Sequence, residues 1–73
     1  MLTIVFRQIS KRPNVENYNL LCQIAYDLTG LEYYSQGISI YYTSCASCGY
    51  TSFFESFWQL RNEVEQLINK KWI

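Results

Sequence analysis

The chain has 73 residues, of which 49% are hydrophobic and 18% are aromatic, and this length fits one domain spanning residues 1–73. Six Lys and Arg residues balance six Asp and Glu residues, so the chain lacks the positive field that draws proteins to nucleic acid or to an anionic membrane. The seven Tyr, four Phe and two Trp carry more apolar area than so small a core can hide, which indicates a surface for self-association or for a partner.

The first predicted element is a strand over residues 2–9, LTIVFRQI. Apolar residues alternate with others along this segment, a period typical of a strand that buries one face. The sequence SKRPN then breaks the pattern, because Pro13 disfavours helical backbone at the residue before it. Asn14 follows as a good residue to cap the start of a helix.

Two helices are predicted. The first covers residues 15–29, VENYNLLCQIAYDLT, and ends at Gly30. Its apolar arc is wide and includes Cys22, which we expect in the core. The second covers residues 52–71 and begins with Ser52-Phe53-Phe54-Glu55, a match to the S-x-x-E capping box. Its apolar residues recur at helical spacing in one stripe, which we expect to face the core: Phe53, Phe57, Leu60, Val64, Leu67 and Ile68.

Between these helices, residues 31–44, LEYYSQGISIYYTS, form the strongest predicted β segment. Gly37 divides it, as either the turn of a hairpin or a bulge in one long strand. The predicted fold is therefore α+β, with the order β-α-β-β-α and one small sheet that packs both helices on one face. The first two strands would be parallel through a right-handed crossover if they are adjacent.

A C-x-x-C pair, Cys45 and Cys48, precedes the second helix. It could hold a metal, but structural zinc takes four nitrogen or sulfur ligands, and the chain has no His and one further Cys. It could be a redox dithiol, although the predicted helix starts too late to stabilise the Cys45 thiolate. A nucleophilic cysteine would need a base, and the chain has no His to serve as one. We favour a loop in which the sulfurs pack as small hydrophobes, with metal or redox chemistry as the alternative.

The second predicted helix carries a further set of side chains on the flank beside its core stripe: Phe54, Trp58, Arg61, Glu65 and Trp72. Exposed Trp and Phe beside Arg is the composition of a binding hot spot. The alternative is that the two Trp residues close the edge of the core. Tyrosines such as Tyr33 and Tyr41 could stack on bases, but packing is favoured because no positive field accompanies them.

These observations predict a non-catalytic protein that binds another protein or a second copy of itself as a homodimer, without a cofactor. By analogy of size and composition, one such role is a phage or mobile-element inhibitor that blocks a host defence complex. A redox or metal-bridged protein and a nucleic-acid-binding module are the alternatives. The N-terminal residues do not resemble a signal peptide, and no apolar run approaches the ~18–20 residues of a membrane span. We therefore expect a cytoplasmic protein with no membrane partner and with reduced cysteines.

Overall fold

The computed structural model describes residues 2–44 and 49–71, and these residues form five helices and no strand. The helices are α1 (Leu2–Ile9), α2 (Val15–Thr29), α3 (Glu32–Ser35), α4 (Ser39–Ser44) and α5 (Tyr50–Lys71). The central helix, α2, packs against α1, α3 and α5. The prediction of an α+β fold with a small sheet is therefore wrong, and the described part of the chain is a small helical domain.

Helix α1 replaces the predicted first strand. Phe6, Ile9 and Ser10 are all buried, and their spacing of three and four residues places them on one face of a helix. Ile4 and Val5 are exposed, so the alternation in the sequence does not correspond to a buried and an exposed face. The β-branched composition of this segment is a weak preference that packing of Phe6 against the other helices overrides.

The predicted β segment of residues 31–44 forms α3 and α4 instead. The neighbouring residues Ile40 and Tyr41 are both buried. In a strand they would point to opposite faces, whereas a helix separates them by about 100° and lets both reach one core. Gly37 forms neither a hairpin turn nor a bulge: it joins the two helices with a φ of 60°, a backbone conformation that suits glycine.

Helix α2 has the predicted bounds, and both of its predicted end signals are confirmed. The Asn14 side chain accepts a 2.7 Å hydrogen bond from the backbone N–H of Asn17, which satisfies one of the free donors of the first turn. Gly30 ends the helix with a φ of 71°, and its N–H donates to the carbonyl of Tyr26 at 2.7 Å. Cys22 is buried in the core as predicted.

The core stripe predicted for α5 is also confirmed. Phe57, Leu60, Val64 and Ile68 are buried, while Phe53 and Leu67 are partly buried and pack against the same core. The start of the helix is different, however, because α5 begins at Tyr50. The N–H of Phe53 donates to the carbonyl of Gly49 at 3.1 Å. Ser52 therefore lies inside the first turn, and the predicted capping box at this residue is wrong.

Replacement by Ala should have different effects at Asn14, which caps α2, and at Ser52, which does not cap α5. Asn14→Ala removes the cap of α2 and should lower the free energy of unfolding by about 1 kcal/mol. Ser52→Ala should change it by less than about 0.5 kcal/mol, since Ala is the better helix former inside a turn. Urea unfolding followed by circular dichroism compares the two variants. An equal or larger loss in Ser52→Ala would contradict the assigned start of α5.

Candidate functional site

The predicted flank of α5 has four members in the described residues: Phe54, Trp58, Arg61 and Glu65. We call these four residues the aromatic strip. Their spacings of four, three and four residues place them on one side of the helix. Phe54 is 40% exposed and Trp58 is 42% exposed, so two large rings of this strip meet solvent. Trp72, the fifth predicted member, lies outside the described residues.

The two rings of the strip rest on the core without joining it. The Trp58 ring stands edge-on to the Phe57 ring, with 5.3 Å between their centroids. The Phe54 ring contacts the Phe53 ring at 6.0 Å in a similar geometry. Neither Phe54 nor Trp58 belongs to the buried core cluster or to the partly buried hydrophobics packed against it. Each ring is thus supported by a neighbouring ring of α5, and about two fifths of its surface meets solvent.

The charged members of the strip lie beside its rings. A nitrogen of Arg61 is 3.6 Å from a carboxylate oxygen of Glu65, one helical turn away. The guanidinium also lies 5.6 Å from the centre of the Phe6 ring, within the range of a cation–π contact. Arg61 therefore connects α5 to α1 as well as lining the strip. The ion pair itself is partly exposed and contributes little to stability.

An apolar groove adjoins the strip at Phe54. Its volume is about 460 Å³, which is within the usual range of binding pockets. We define the apolar groove by its apolar walls: Pro13, Val15, Tyr41, Tyr42, Phe53 and Phe54. Val15 is 54% exposed and Tyr42 is 61% exposed. Strip and groove together form one continuous surface, because Phe54 belongs to both.

A buried tyrosine forms the floor of the groove. The Tyr41 hydroxyl donates to the backbone carbonyl of Gly49 at 3.1 Å. Its ring meets the Tyr42 ring at a centroid distance of 5.1 Å and the Phe53 ring at 5.4 Å. These contacts join α4 to the start of α5. The groove is therefore a packed feature of the fold, and Tyr42 is the aromatic side chain of α4 that it exposes.

Sequence reasoning missed the groove. The sequence predicts a strand for the segment that forms α4, and a strand would turn the neighbouring Tyr41 and Tyr42 to opposite faces of a sheet. A weak signal was present in Val15, a branched apolar residue in the first turn of α2, where a solvated helix end usually carries polar residues. It gave no indication that α4 lies opposite.

Three buried or half-buried groups have raised pKa values. Burial, together with the charge of Glu63, raises the pKa of the Cys22 thiol to about 12. Burial, followed by a hydrogen bond to Glu63, raises the pKa of Tyr34 to about 12; its hydroxyl donates to the Glu63 carboxylate at 2.8 Å. Burial also raises the pKa of Tyr18 above its ordinary value. All three groups are protonated near neutral pH, so none is activated as a nucleophile or as a base.

The metal hypothesis for Cys45 and Cys48 falls outside the described residues. Within residues 2–44 and 49–71, no group of three or more His, Cys, Asp and Glu side chains is placed to hold a metal ion. In the same part of the chain, no helix combines the length and the apolarity that crossing a membrane requires.

The chain matches no protein-family model, no curated protein and no solved structure at a significant level. Its function must therefore be argued from the strip, the groove and their surroundings.

Proposed function

We propose that this protein is not an enzyme and acts by binding another protein through the aromatic strip and the apolar groove. The observation that carries the proposal is the exposure of Phe54 and Trp58, at 40% and 42%, next to a groove of about 460 Å³. Large apolar side chains that share one surface and border a groove are typical of protein-binding sites. The groove offers a cavity for a partner's side chain, and the strip offers two anchored rings.

The alternative interpretation of the strip is that its rings close the edge of the core. That role would place them among the side chains that pack on the core, as Phe53 and Leu67 do. Phe54 and Trp58 contact the rings of Phe53 and Phe57, yet they keep 40% and 42% of their surface exposed. The core stripe of α5 is complete without them, which favours a role in binding.

The charges on the strip favour a protein partner over nucleic acid. A nucleic-acid surface combines aromatic rings with cations that are available to phosphates. Arg61 is the cation of the strip, and it already lies 3.6 Å from Glu65. The strip thus has exposed rings, while its cation, Arg61, is already paired with Glu65.

A domain of this size can act by occupying the surface of a larger complex, and inhibition of such a complex is the form of activity that we propose. We place this binding in the cytoplasm, where the free thiol of Cys22 would stay reduced.

An affinity capture experiment tests the proposal. Wild-type protein and a Phe54→Ser/Trp58→Ser double variant are immobilised and exposed to lysate from the native host, and the retained proteins are identified by quantitative mass spectrometry. A hot-spot side chain commonly contributes about 2 kcal/mol or more to binding. We therefore expect a specific partner to be retained by the wild type and reduced at least thirtyfold on the double variant.

A Leu31→Ser/Tyr33→Ser variant serves as the matched control. Leu31 is 57% exposed and Tyr33 is 50% exposed, so the control also removes two exposed apolar side chains. Tyr33 packs beside Tyr34, which bonds Glu63 on the side of α5 opposite the strip. Retention of the same proteins by all three forms would contradict the proposal.

A further inference from the structure

We infer that the partner surface fits a second copy of this chain, and that Trp58 of each copy enters the apolar groove of the other. This inference rests on the proposed function, since it assigns an occupant to the same surface. The strip provides the exposed ring of Trp58 and the groove provides a cavity, so one chain carries both halves of a complementary contact. Such a surface can pair with itself around a two-fold axis, so that the ring of each copy meets the groove of the other.

The spacing of the two halves is compatible with this arrangement. Phe54 lines the groove, and Trp58 follows it by one turn of α5, which is about 6 Å along the helix axis. A two-fold axis that passes between Phe54 and Trp58 would bring each Trp58 next to the Phe54 wall of the other copy. The two α5 helices would then run antiparallel across the interface, and four aromatic rings would meet at its centre.

The exposed apolar area sets the expected stability of the dimer. Four large side chains on this surface are between 40% and 61% exposed: Val15, Tyr42, Phe54 and Trp58. With roughly 100 Å² available from each, the pair of copies would bury about 800 Å² in these side chains alone. That area is below the ~1,200 Å² of a stable interface and lies in the range of weak complexes. The dimer should therefore form in a concentration-dependent way.

The charge on the surface also fits a second copy. Arg61 and Glu65 already neutralise each other within one chain, and the chain has a net charge of zero. Two copies therefore approach without net repulsion. A strongly acidic or strongly basic partner would find no excess of opposite charge on the strip, whereas a second copy matches its neutral, aromatic character.

Sedimentation equilibrium of the full chain tests the inference over a range of about 10 µM to 1 mM, which brackets a weak dimer. The average mass should rise with concentration from 8.7 kDa toward twice that value. Trp58→Ala and Tyr42→Ala should each weaken dimerisation, Trp58→Ala by about thirtyfold. Tyr33→Ala is the control and should leave the dissociation constant within about threefold of wild type. Tyr42→Ala keeps the test valid if Trp58→Ala perturbs folding.

An isotope-filtered NOESY experiment on a mixture of labelled and unlabelled protein tests the geometry. Contacts between the Val15 methyl groups of one copy and the Trp58 indole of the other are expected. A monomer mass at 1 mM, or a dimer that neither Trp58→Ala nor Tyr42→Ala weakens, would overturn the inference. So would a dimer without the Val15 to Trp58 contact. If the chain stays monomeric while the capture experiment still yields a partner that depends on the strip, the inference fails and the proposed function stands.

Discussion

Val64→Asp should remove most or all of the stability of the fold at 25 °C. Val64 is 0% exposed and sits in the core cluster among apolar neighbours, including Phe57, Leu60 and Ile68. A carboxylate at this position loses its hydration and gains no cation in return, which costs several kcal/mol. A domain of this size has a total stability of only about 4–11 kcal/mol, so most or all of it is lost.

Far-UV circular dichroism and thermal melting measure this effect. Gln66→Asp, at an exposed position of the same helix, is the matched control because it introduces the same charge. It should cost less than about 1 kcal/mol, chiefly through the lower helix propensity of Asp. A Val64→Asp variant that melts within a few degrees of wild type would show that the core face of α5 is assigned wrongly.

Phe57→Ala should lower the free energy of unfolding by about 3–5 kcal/mol. Phe57 is 0% exposed, and its ring contacts those of Phe53 at 6.5 Å and Trp58 at 5.3 Å. Removing the ring leaves a cavity that these anchored neighbours can fill only in part. Urea denaturation should show a lower midpoint with little change in the slope.

Phe54→Ala is the matched control, since it makes the same substitution three residues earlier on the same helix. Phe54 keeps 40% of its surface exposed, so its loss should cost about 1 kcal/mol or slightly more. A larger loss of unfolding free energy for Phe57→Ala than for Phe54→Ala would distinguish the core face of α5 from its binding surface. Equal losses would mean that Phe54 contributes to the core as much as Phe57 does, and the strip would lose one of its two exposed rings.

The sequence predicted the two long helices because each repeats its apolar residues over several turns. In α2 the N-cap at Asn14 and the glycine at residue 30 added independent end signals. In α5 the apolar repeat located the core face, but the S-x-x-E pattern placed the start two residues late, at Ser52 rather than at Tyr50. A capping pattern is short enough to occur inside a helix by chance, whereas a repeat over about four turns is not.

The short elements could not be predicted in the same way. Residues 2–9 and 31–44 are rich in β-branched and aromatic side chains, which favour strands in isolation. Their helical form depends on contacts with α2 and α5, as the burial of Phe6 and Tyr41 shows. The aromatic strip was predictable because one helix supplies all of it. The groove was not, since its walls come from three separate segments.

The Arg61 side chain links the aromatic strip to helix α1. Its guanidinium lies on the Phe6 ring of α1 and beside Glu65 on the strip. A partner that fixes Arg61 in this position also favours the docked state of α1 over a detached one. By thermodynamic linkage, detachment of α1 would weaken binding of the partner by the same factor. If a partner binds at the strip as proposed, the Arg61–Phe6 contact would couple its affinity to the docking of α1, although Phe6 and Ile9 face the interior.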